Sequence, residues 1–121
     1  MIATAQALSA WLAEFKLPVY INNDVPEEVE APYMTIPMSE PEWDQKTTFY
    51  IQIWYRSKSN ATLMQKADEI VSAIGQGIKL SCTGGYLVIY PETPLIQLLV
   101  DGDYRSAYIN LSLNAYKMPG V

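Results

Sequence analysis

Two long segments of the chain alternate between aliphatic residues and polar or aromatic ones, and this alternation restricts the fold more than any other feature. In Thr47 to Arg56, Phe49, Ile51, Ile53 and Tyr55 take turns with Thr48, Tyr50, Gln52 and Trp54. In Tyr104 to Lys117, Ala107, Ile109, Leu111, Leu113 and Ala115 take turns with Ser106, Tyr108, Asn110, Ser112, Asn114 and Tyr116. Successive side chains of a β-strand point to opposite faces, so each segment offers one face to a core and a chemically different face elsewhere. Strands of this kind belong to a sheet covered on one side, as antiparallel sheets commonly are.

Two segments have the other periodicity and supply the cover. From about Ile2 to Phe15, Leu8, Trp11, Leu12 and Phe15 make one apolar stripe, with Lys16 suiting the C-terminal dipole and Pro18 stopping the helix. After Ser57 to Asn60 a second helix runs to about Gly75 or Gly77. Its stripe is Leu63, Ala67, Ile70, Val71, Ile74 and Ile78, with Gln65, Lys66, Asp68 and Glu69 on the other face. Val19 to Ile21 is a short extended run. Tyr33 to Ile36, hemmed by prolines, reads as an edge strand. Tyr86 to Tyr90 and Leu95 to Val100 read as two strands separated by a turn at Pro91 to Pro94, and Asp101-Gly102-Asp103 is a hairpin signal. The prediction is one α+β domain over residues 1–121: a mainly antiparallel sheet of about four to five strands, with two α-helices packed on one face.

Composition narrows the function. Half of the 121 residues are hydrophobic and 17% are charged, enough apolar material for a packed core. The net charge of −5 argues against general nucleic-acid binding, which needs a basic footprint. There is no histidine, the commonest general base and metal ligand, and one cysteine, Cys82, which reads as a small strand-end residue rather than a nucleophile. No segment approaches the roughly 18 apolar residues of a membrane span, and the N-terminus lacks the pattern of a secretion signal. A soluble chain made and kept in the cytoplasm is expected, with no catalytic residue, cofactor or metal.

The constellations that could carry chemistry are thin. Glu27, Glu28 and Glu30, and the loop Glu40, Glu42 and Asp44, read as solvated acidic segments. Asp101 and Asp103 read as turn residues supporting φ > 0, without the further ligands of a calcium loop. Gly75-Gln-Gly77 and Gly84-Gly85 do not form a strand–glycine loop–helix unit. The aromatics are the stronger signal. Tyr50, Trp54, Tyr108 and Tyr116 fall on the outward strand face, and Trp43 on an exposed acidic loop. Tyr and Trp are enriched at protein interfaces, and the same residues could also form cross-strand pairs that stiffen the sheet.

Several segments together carry a family likeness: Lys-Leu-Pro-Val-Tyr (16–20), Val-Pro-Glu-Glu-Val-Glu-Ala-Pro-Tyr-Met-Thr (25–35), Tyr-Ile-Gln-Ile-Trp-Tyr-Arg-Ser-Lys-Ser-Asn-Ala (50–61) and Asp-Gly-Asp-Tyr-Arg-Ser-Ala-Tyr-Ile-Asn-Leu (101–111). Over nearly its whole length the chain resembles the tail terminator, or tail completion, proteins of long-tailed bacteriophages and prophages. The resemblance implies a sheet flanked by helices, assembled as a six-fold ring at the head-proximal end of the virion tail. Its partners would be other copies of itself, the tail-tube protein and the head connector or stopper protein. The ring would end tube polymerisation and provide the surface for head attachment. Acids at Glu27, Glu28, Glu30 and Glu40–Asp44 would then be candidates for the lumen, where like charge repels passing DNA. Three other readings stand beside it: a neck or head-closure protein, an adaptor of a contractile injection machine, and a small ligand-binding domain.

Overall fold

The computed structural model describes residues 3–22, 24–37 and 39–118. Helix α1 spans Thr4–Leu12 and tightens into a 3-10 turn at Ala13–Phe15; α2 spans Ala61–Ile74. Between and after them run β1 (Val19–Ile21), β2 (Tyr33–Ile36), β3 (Lys46–Arg56), β4 (Ile78–Cys82), β5 (Gly85–Asp101) and β6 (Tyr104–Lys117). They form one six-stranded sheet in the order β1-β2-β3-β6-β5-β4. β1 and β2 are parallel, and every other neighbouring pair is antiparallel. The α+β class and the mainly antiparallel sheet are as expected.

The strand count of four to five falls short, for identifiable reasons. Ile78, assigned to the helical stripe, opens β4, because Gly75 takes φ +53 and ends α2 first. Pro91 to Pro94 does not separate two strands. β5 is continuous, but pairing with β6 jumps from Pro91↔Leu111 to Ile96↔Ile109, so four residues bulge opposite Asn110. The bulge reverses parity: Tyr86, Val88 and Tyr90 lie on one side of the sheet with Gln97 and Leu99. Tyr33–Ile36 is not an edge either, since β1 pairs along its outer side. The start of the first helix at Ile2 lies outside the described residues.

One face of the sheet forms the core. Phe49, Ile51 and Ile53 of β3, Leu87 and Ile89 of β5 and the alternating Ala107 to Ala115 of β6 join Leu8 and Leu12 of α1 and Leu63, Ala67, Ile70 and Ile74 of α2 in a single buried cluster. Truncating a fully buried member such as Leu12 or Ile70 to alanine would cost about 2–5 kcal/mol. α2 lies over β3, β6 and β5, while α1 meets β1, β2 and β4 at opposite ends of the strand order. One short helix can touch both ends only because the sheet curls around it.

The ends of α1 are held by residues far away in sequence. Its own first turn has no acid and its last turn no base. The backbone N–H of Thr4 donates to Glu40 Oε1 at 3.0 Å, and Lys66 Nζ donates to the Phe15 carbonyl at 2.8 Å and to Glu69 at 2.9 Å. An anion at the N-terminus and a cation at the C-terminus both suit the helix dipole and satisfy open backbone groups. Lys16, expected in that role, instead adopts φ 66 and turns the chain away from the helix.

Candidate interaction face

No helix among the described residues covers the sheet surface opposite α1 and α2. The alternate residues of β3 and β6 put Tyr50, Trp54, Tyr108 and Tyr116 there, as expected, and strand pairing sets them in rows. Tyr20 meets Tyr33 edge-on at 5.9 Å between ring centroids, and Tyr33 stacks on Trp54 at 6.2 Å with the rings 22° apart. Tyr50 meets Tyr108 edge-on at 4.7 Å, and Tyr116 lies 5.4 Å from Tyr86. Lys79 extends its ammonium over the Tyr86 ring at 4.2 Å, a cation–π contact. Tyr20, Tyr33 and Tyr86 are not evident from local pattern, because register alone brings them beside Trp54 and Tyr116.

Between the rings the floor is polar but uncharged. Gln52 Nε2 donates to Ser106 Oγ at 3.3 Å, Trp54 Nε1 to Thr35 Oγ1 at 3.3 Å and the Tyr90 hydroxyl to Asn114 Oδ1 at 3.0 Å. Gln52, Ser106, Thr35 and Ser112 are buried although no helix covers them. Burial pushes the Tyr33 hydroxyl above the ordinary tyrosine range, with the Tyr104 phenol adding to the rise. The face therefore stays neutral well into alkaline pH at that ring. Large neutral rings over an uncharged amide and hydroxyl floor, in which Gln52, Trp54 and Tyr90 are hydrogen-bonded and the buried Ser112 hydroxyl has no partner among the described residues, suit contact with a protein surface.

Trp43 does not belong to this face and does not stand in an exposed loop. Its ring packs on Gly84 and Gly85 and against the core cluster, while the next residue, Asp44, takes φ 62 and donates its N–H to the Ala115 carbonyl at 2.7 Å. The acids do not form one site. Glu27, Glu28 and Glu30 are exposed on the β1–β2 connection, whereas Glu40, Glu42 and Asp44 lie on the β2–β3 connection. Among the described residues, no group of three or more acids or thiols could hold a metal ion. Cys82 sits half-buried in β4, its thiol pushed above the usual range by burial and then by the Glu40 carboxylate.

A cleft of about 540 Å³ opens beside the β5 bulge, lined among others by Tyr50, Glu92, Gln97 and Asn110. Its amide is already engaged: Asn110 Nδ2 donates to the Pro94 carbonyl at 2.6 Å and to Gln97 Oε1 at 2.9 Å. Glu92 pairs with Lys46 at 3.5 Å. These groups hold the bulge in place more than they face a ligand.

No family model matches the chain, and no curated protein does. One solved structure, whose name describes no function, is similar with a TM-score of 0.64 and 17% identity, over 97% of this chain and 93% of that one. At that identity the likeness concerns the fold.

Proposed function

We propose that the chain is a tail terminator of a long-tailed bacteriophage or prophage, a non-enzymatic subunit of a six-fold ring that caps the tail tube and receives the head connector. The observation that carries this reading is the bare aromatic face: Tyr20, Tyr33, Trp54, Tyr50, Tyr108, Tyr86 and Tyr116 across five neighbouring strands, over an uncharged floor. Such a surface is suited to being covered by protein. A ring of identical subunits needs one patch on each copy to meet a different patch on the next, and this face supplies one of them. The resemblance of the segments at 16–20, 25–35, 50–61 and 101–111 supplies the biological setting.

Glu40 is better read as the cap of α1 than as a lumen acid, since its carboxylate accepts from Thr4. Glu27, Glu28, Glu30, Glu42 and Asp44 remain the candidates for a DNA-repelling lumen. The deciding experiment is electron microscopy of particles from a phage or prophage with this gene deleted. Filled heads beside tubes of uncontrolled length support the terminator. Tailless filled heads with detached tails of normal length move the protein to the neck, and normal infectious particles remove it from the virion. The ligand-binding reading draws on the cleft beside the bulge. Small-molecule thermal-shift screening tests it directly.

A further inference from the structure

A sheet edge presents a row of unpaired backbone N–H and C=O groups, and natural proteins usually blunt it with charge, proline or a covering element. Here α1 packs beside both outermost strands, β1 and β4. A third edge has no strand beside it among the described residues. β4 pairs with β5 only from Gly85 to Ile89, so beyond the bulge the outer side of β5 from Ile96 to Asp101 faces no strand among the described residues. Nothing from Leu95 to Val100 is charged, and that run contains no proline. Leu98, Leu99 and Val100 are 44%, 43% and 64% exposed. Leu98 and Val100 stand on one side of the strand and Leu99 on the other, so apolar surface wraps both sides of the bare edge.

We propose that this edge joins a second copy of the chain, β5 against β5 in antiparallel pairing about a two-fold axis at Leu98. An antiparallel edge is its own complement under a two-fold, so no other free edge is required. Keeping the helices of both copies on one side of the joined sheet requires facing residues of the same parity. Centring the pair on Leu98 then sets each Val100 against the other copy's Ile96 and each Leu99 against the other's Gln97. Ile96, Leu98 and Val100 of both copies become one aliphatic strip. Asp101 faces Leu95 rather than another acid, so the charge at the end of the strand does not oppose the contact. Shifting the centre to Leu99 leaves Ile96 opposite Gly102 and shortens the strip. The exposed apolar patch is of the order of a few hundred Å², as at functional surfaces of otherwise monomeric proteins, which points to a weak, concentration-dependent pair.

The inference is independent of the tail-terminator reading. Sedimentation velocity of the full chain at concentrations on the order of 100 µM, where a micromolar contact is filled, tests it. The expected result is a monomer–dimer equilibrium that Leu98→Lys abolishes while leaving the circular dichroism spectrum unchanged. A second variant fixes the symmetry. In a Cys82→Ser background, Leu98→Cys is expected to cross-link with itself through a short bis-maleimide, because facing Cβ atoms lie about 5 Å apart. Ile96→Cys, displaced from the axis, is expected not to. A monomer at that concentration overturns the proposal, as does association that Leu98→Lys leaves intact. A six-subunit ring lost in Leu98→Lys without self-cross-linking at position 98 also overturns it, and assigns the edge to a head-to-tail contact.

Discussion

At Gly85 the backbone has no room for a side chain. A Cβ there would collide with the Tyr116 carbonyl oxygen and lie 2.8 Å from Trp43 Cζ3. Gly85→Ala is expected to lower stability by about 2–3 kcal/mol, the cost of forcing an extra methyl into a filled site, as read from the urea midpoint. Trp43→Ala is expected to restore only part of that loss, because the carbonyl stays. Glu40 and Cys82 give a second prediction. Burial and the Glu40 charge both keep the thiol protonated, so iodoacetamide at pH 8 is expected to react more slowly with the native chain than with the urea-unfolded one. Glu40→Gln retains an oxygen for the Thr4 N–H, removes the charge and is expected to speed native alkylation a few-fold. The roles of Gly85 and Glu40 were not legible locally. Their partners, Trp43 and Tyr116, and Thr4, are 42, 31 and 36 residues away in the numbering.

At the scale of the element, β5 shows how one irregularity divides a strand into two surfaces. Before the bulge it lies between β4 and β6; after it, β6 is the one strand beside it among the described residues. Asn110 is the pin, bonding both Pro94 and Gln97 across the loop. Asn110→Ala is expected to cost about 1 kcal/mol, the net worth of an exposed hydrogen-bonded side chain, and to speed amide exchange at 92–97 more than elsewhere. The pattern of β5 reads as two strands because parity reverses at the bulge. Only pairing with β6 reveals one. α1 shows the complementary case: its apolar stripe is evident from spacing, whereas both of its end caps, Glu40 and Lys66, come from other elements.

For the whole molecule, alkaline behaviour tests the packing on both faces at once. Tyr33, Tyr55 and Cys82 are all held above their ordinary ionisation range, each chiefly by burial. For each, the folded chain keeps a proton that the unfolded chain releases near pH 8.5 to about 10. Stability is therefore expected to hold below that window and to fall as pH rises through it, seen as a declining Tm between about pH 8.5 and 11. A flat Tm over that range would mean that these groups are as well solvated folded as unfolded.

The two helices, the strand identity of β2, β3 and β6, the one-sided core and the outward placement of Tyr50, Trp54, Tyr108 and Tyr116 followed from the sequence by itself. Each depends on residue spacing, and a period of two or of 3.6 sorts side chains between faces whatever the strand order. The same spacing carries no information on which strands are neighbours. The parallel β1–β2 pair, the interior position of β2, the stacking of Tyr33 on Trp54 and the burial of Trp43 against Gly85 were decided by the tertiary structure. So was the uncovered edge at Ile96 to Asp101. An edge exists only once the order of strands is set, and contacts across the sheet set that order.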